Sequence, residues 1–126
     1  MPNYWLVGAM WGGGDDQAPK FIRRGYWQLG WKDEDKPHMT RRRNEIEPGD
    51  RIAIKRMMGQ GSSTIRITAL GIVTEVDPED GRVYIRWVSD NLDRVVDGHG
   101  CFGTIHGPFP SDDRSDDSWT KEVFQL

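Results

Sequence analysis

The sequence predicts an α+β protein, a small mixed β-barrel flanked by short helices, and three features of its 126 residues carry that prediction. Apolar residues recur with period two over several segments of strand length, the pattern of strands with one buried face. Turn-forming clusters separate those segments, above all Pro48-Gly49-Asp50 and Asp77-Pro78-Glu79-Asp80-Gly81. The 15 glycines and 7 prolines are spread so that no apolar pattern of helical period runs far, which leaves room only for minor helices.

Taken in order, Tyr4 to Trp11 is aromatic, β-compatible and uncharged, and predicts a central first strand. It ends at Gly12-Gly13-Gly14-Asp15-Asp16, which is no phosphate loop because no Gly-Lys-Ser/Thr follows. Gln17 to Arg24 suits a short helical turn that Asp15 or Asp16 would cap. Lys32 to Pro37 is a polar loop, and Pro37 forbids a long helix through it. Met39 to Glu47 fits a helical turn or two, closed by Pro48-Gly49-Asp50. Arg51-Ile52-Ala53-Ile54-Lys55 alternates as a half-buried strand. After a Gly- and Ser-containing loop, Thr64 to Val76 resumes the strand pattern through a bulge at Gly71. The Asp77–Gly81 turn makes a hairpin with Arg82 to Val88, which places Val83, Ile85 and Trp87 on one face. Leu92, Val95 and Val96 pack a connecting segment. The glycine-rich stretch from Gly98 to Phe109 contains a short strand or a close backbone approach. Residues 110–126 form an acidic extension that closes on the domain through Trp119, and the chain is a single domain, 1–126.

Composition excludes several classes. The apolar runs are only a few residues long, too short to span a membrane, and Met1 leads at once into a strand rather than a signal peptide. The expected compartment is the cytoplasm. The single cysteine, Cys101, makes no intramolecular disulfide, and His38, His99 and His106 are too scattered for a metal site, so no cofactor is expected. The net charge of -3 hides a polarity: Lys20 to Arg56 holds 11 basic against 6 acidic residues, a local +5 in an acidic chain. A polyanion responds to such a local potential rather than to the total. The plainer account of Arg41-Arg42-Arg43 is a solvated face.

The stretch Phe21 to Trp31, taken with Trp11, has the composition of a site. Three of the six tryptophans fall here among glycine and arginine. An indole is a rigid plane, glycine admits close approach, and arginine suits phosphate or stacking. Trp11 and Trp31 are the candidate walls of a base-binding pocket, Trp27 is equally placed for the core, and Asp15 or Asp16 would accept from an exocyclic amine. Phosphate contacts fall to Arg23 and Arg24, to Arg41, Arg42 and Arg43, and to Lys55 and Arg56. Trp5 and Trp87 sit in strand patterns and are expected to be structural.

The opening Tyr4-Trp5-Leu6 strand, the tryptophan-bearing stretch after it, Glu47-Pro48-Gly49-Asp50 before Arg51-Ile52-Ala53-Ile54, and Leu70-Gly71-Ile72-Val73 before an acidic hairpin resemble the PUA-like superfamily, in particular its EVE domains, related to YTH domains. The resemblance covers roughly Asn3 to Phe109. It implies a PUA-like barrel that binds DNA or RNA and takes one modified base, methylated cytosine or adenine, into an aromatic cage. A nuclease or restriction subunit encoded elsewhere is the partner it implies. The chain lacks the YTH run of cage tryptophans, which leaves the base open.

Two other classes compete. The same superfamily contains ASCH domains, some of which resemble amidohydrolases that use Lys, Thr and Glu on modified nucleosides. Thr40, Lys55 and Glu75 would have to be brought together by folding, and no Ser-His-Asp or HExxH pattern is present. A protein-interaction module with tryptophan hot spots is the third. The expectation is a binding module, not an enzyme.

Overall fold

A computed structural model describes residues 2–11, 14–30, 36–59, 61–110 and 118–124. They form β1 (Asn3–Gly8), β2 (Met10–Trp11), β3 (Asp15–Asp16), α1 (Ala18–Arg24), β4 (Tyr26–Gln28), α2 (Pro37–Asn44), β5 (Arg51–Met57), β6 (Thr64–Asp77), β7 (Arg82–Ser89), β8 (Arg94–Asp97), β9 (Ile105–Pro110) and α3 (Ser118–Phe124). The architecture is mixed α+β, a curled half-barrel sheet with three short helices. Its path is β4-β7-β6-β5-β1-β9, and β8 pairs the first half of the long β6. Among the described residues, β1 and β5 are the one parallel pair, Tyr4 opposite Arg51 through Gly8 opposite Lys55.

The predicted first strand divides in two. At Gly8 the backbone leaves the main sheet: its N–H donates to Thr104 O (2.7 Å), and its carbonyl accepts the Trp27 indole N–H (2.8 Å). Met10 and Trp11 then pair with Asp16 and Asp15 in a separate two-stranded ribbon. The N-cap of α1 is Gln17, which makes no side-chain cap bond, so neither Asp15 nor Asp16 caps the helix as expected. Asp16 Oδ1 instead accepts the Ala18 N–H (3.0 Å) from one residue further out, and Pro19 lies in the first turn. The helix stops at Gly25, which takes the left-handed conformation (φ 75°) and returns its N–H to Phe21 O.

Strand β5 is buried on both faces rather than on one. Ile52 and Ile54 join Trp5, Val7, Phe21, Trp27 and Val83 in the main core, whereas Ala53 joins Leu6, Ile65, Ile67, Trp119 and Val123 in a second cluster. The cause is α3, which caps the far face: Trp119 donates its indole N–H to Asp97 O (2.7 Å) and stacks on His99. Trp119 is the anchor the sequence suggested. The connecting segment around Val95 and Val96 is the strand β8, paired from Thr64–Asp97 to Ile67–Arg94.

Strand β6 serves both clusters. The register with β5 slips between Ile54 and Lys55, so that Ile54 faces Ala69 and Lys55 faces Ile67, with Thr68 the extra residue. A bulge reverses which face a given parity serves. Ile65 and Ile67 accordingly belong to the second cluster, and Ala69 and Val73 to the first. A second slip falls at Leu70/Gly71 against β7, where the sequence placed a bulge. There a Cβ on Gly71 would lie 2.3 Å from Ile85 Cγ2, so only glycine lets the strands approach.

The Pro48-Gly49-Asp50 turn is a staple. Buried Asp50 accepts from Asn3 N (3.0 Å), Trp5 Nε1 (2.9 Å) and Glu47 N (3.0 Å), while Val73 N donates to Asp50 O (2.8 Å). One residue thereby fixes the start of β1, the entry to β5 and the middle of β6.

Candidate ligand-binding cleft

The parallel pairing of β1 and β5 brings their C-terminal ends to one side of the sheet. An open cleft of about 780 Å³ lies there, between α1 (Ala18, Pro19, Ile22) and the segment Phe102-Gly103-Thr104. Gly8, Ile54, Lys55 and the bulged Thr68 line it, with Met10 and Met57 adding apolar surface. Thr68 Oγ1 donates to Ile54 O (3.4 Å), and Phe102 is 42% exposed. A volume of this size is within the range of small-molecule sites.

Lys55 is the electrostatic feature of the cleft. It is 5% exposed, and among the described residues its amine meets no carboxylate within 4.0 Å, only Met57 Sδ at 3.9 Å. Burial lowers its pKa from the ordinary lysine value, opposed by the nearby Cys101 thiol. Its sequence neighbour Arg56 reaches Asp16 Oδ2 at 3.4 Å, an exposed pair that contributes little to stability.

The Phe102–Thr104 wall is held by His106, whose Nε2 accepts the Gly103 N–H at 2.8 Å. The imidazole must be neutral to accept. Burial first, then the charges of Lys55 and Arg42, lower its pKa below the usual 6.5. As pH falls below 6.5 toward that lowered value, the proton enters Nε2, and the wall loses this bond. The Gly103 amide resonance should therefore titrate with a midpoint below 6.5 and stay flat in His106→Phe; a midpoint above 6.5 would contradict this geometry.

The predicted site residues disperse. Asp16 lines the cleft, and Asp15 is exposed beside it on β3. Trp11 does not line it: half-buried, it packs edge-on against Phe21 and lies over Gly30, where a Cβ would come within 2.5 Å of the indole. Its indole N–H has no hydrogen-bond partner among the described residues. Trp31 lies outside the described residues. Trp27 has no exposed surface and spends its N–H on Gly8 O, so it is a core residue that braces the cleft from behind, not a wall. Trp5 is wholly buried, and half-buried Trp87 donates to Phe21 O (3.0 Å), both structural as expected.

The basic residues divide likewise. Lys55 and Arg56 line the cleft, and Arg42 is close enough to act on His106 beside it. Arg23 and Arg24 are exposed in the last turn of α1, and Arg41 is exposed on α2; cations there also complement the helix dipole. Arg43 is buried and packs against Gly81 of the hairpin turn, an anchor of α2 and not a phosphate contact. Sequence analysis missed Phe102, Met10, Met57 and Thr68. Nothing in the local pattern marks them, because the cleft is lined by segments far apart in the chain.

The described residues contain no group of three or more His, Cys, Asp or Glu able to hold a metal ion, and no helix long and apolar enough to cross a membrane. The chain has no significant match to a protein-family model or to a curated protein. Fold and site define it as a mixed α+β protein whose half-barrel sheet opens on a cation-bearing cleft.

Proposed function

We propose that the protein is a nucleic-acid-binding module of the PUA-like, EVE type that takes a modified base, flipped from its strand, into this cleft and performs no chemistry on it. The observation that carries the reading is the buried amine of Lys55, which meets no carboxylate among the described residues, in a cleft of about 780 Å³. A flipped base must recover its unstacking cost from stacking and edge hydrogen bonds. Phe102, Met10 and Met57 offer the apolar faces, Lys55 a donor and Asp16 an acceptor. Arg56, Arg42, Arg23 and Arg24 supply charge for the phosphates, and a nuclease encoded elsewhere fits as the partner that would act on what is bound.

The lowered pKa of Lys55 also suits an amine that acts as a base, which favours hydrolysis as the second reading. Of the trio it would need, only Lys55 lines the cleft; Thr40 lies on α2, and Glu75 is exposed on β6.

The test is a tryptophan-fluorescence titration with DNA and RNA oligonucleotides carrying cytosine, adenine or their methylated forms, at two salt concentrations. Binding should favour a modified base, weaken steeply with salt, and fall in Phe102→Ala by roughly 5- to 150-fold, the equivalent of about 1–3 kcal/mol for one stacked base. Absence of binding to every oligonucleotide at low salt would leave the basic segment a solvated face. A turnover product would favour the hydrolase.

A further inference from the structure

Resting on the base-reading function, we infer that the modification recognised ends in an oxygen acceptor, a carboxylate before a hydroxyl. A base such as 5-carboxylcytosine is then preferred to one that carries a bare methyl group.

The argument starts from what Lys55 lacks. An ammonium group has three donors and no acceptor. At 5% exposure, its amine makes one weak contact to Met57 Sδ and meets no carboxylate within 4.0 Å among the described residues. A ligand that fills the cleft shuts solvent out from the amine. If its inner edge is a methyl group, the amine is left dry and unpartnered, which is costly. If the edge is a carboxylate, it supplies both acceptors and a countercharge, and the resulting bond is of the strong, charge-assisted kind. A hydroxyl supplies the acceptor alone.

The acidic residues of the cleft do not cancel this preference. Asp16 already accepts from Ala18 N–H and faces Arg56, and Asp90 is exposed, where water and salt screen it. Beside the inner wall Lys55 and Arg42 act on His106, and the Cys101 thiol acts on Lys55. An anion held against Lys55 also stabilises its charged form. Binding should then draw in a proton wherever the free amine is partly neutral, and affinity should fall as pH rises through that range.

The experiment uses the full chain and four oligonucleotides that differ at one base: cytosine, 5-methylcytosine, 5-hydroxymethylcytosine and 5-carboxylcytosine. Each is titrated calorimetrically against the wild type, Lys55→Met and Lys55→Gln, with folding of both variants checked by circular dichroism. The expected order is carboxyl, then hydroxymethyl, then methyl. The carboxyl form should gain about tenfold or more over methyl, the scale of one charge-assisted hydrogen bond, and the margin should vanish in both variants. Methyl binding equal to or tighter than carboxyl, or a carboxyl margin that survives in the folded variants, would overturn the inference and leave modified-base reading in place. If unmodified cytosine binds as well as every modified form, or nothing binds at low salt, the base-reading function itself falls.

Discussion

Asp50→Ala should cost about 3–5 kcal/mol of folding stability, the scale on which a buried group with several committed partners is lost. The side chain is 4% exposed, and its two oxygens accept the Asn3 and Glu47 amides and the Trp5 indole. Alanine takes the acceptor from three donors, of which the Trp5 indole N–H is buried. The loss should appear as a lower urea midpoint with an unchanged slope, because the surface exposed on unfolding hardly changes. Asp50→Asn keeps one carbonyl acceptor and should lose less. A cost below about 1 kcal/mol for alanine would mean that the turn, and not the carboxylate, ties β1 to β5.

Lys55→Met should move stability the other way. Burial lowers the lysine pKa in the folded protein below the 10.5 of the free side chain. Between the lowered value and 10.5 the unfolded chain binds more protons than the folded one, so this residue makes stability rise with pH across that window. Below the window both states are protonated, and the full penalty of burying the charge applies. Methionine fills a similar volume without the charge. The variant should therefore be more stable at neutral pH, by about 1–4 kcal/mol on the scale of buried charges replaced by apolar side chains. The wild-type minus variant difference should shrink as pH rises toward 10.5. Thermal melts of both proteins across that range decide it; a less stable variant would show that the amine is satisfied within the fold. Removing Lys55 is expected to strengthen the fold and weaken the site, the trade a binding residue imposes.

Much of the secondary structure was legible because its causes are local. Alternation in β6 and β7, the Asp77–Gly81 turn and the end of α1 at Arg24 each depend on a few neighbouring residues. The errors lie where a distant segment decides. Gly8 ends β1 because Thr104 and Trp27 compete for its backbone, and β5 is buried on both faces because α3 returns to cover it.

The site was legible in part, and for a related reason. Lys55 and Arg56 could be singled out as cations beside apolar strand residues, but not that one would be buried, with no carboxylate near it among the described residues, and the other left exposed. The tryptophans stood out by type, yet burial follows the sheet and not the residue, so Trp27 went to the core and Trp11 to the flank of α1. By itself the sequence determined the α+β class, the main turns and the polarity of charge, since these follow from backbone geometry and side-chain period within a few residues. Only the tertiary structure decided which residues surround the cleft. The parallel pairing of β1 with β5 and the slip at Thr68 bring together positions as far apart as Met10 and Thr104, and no local pattern records such a meeting.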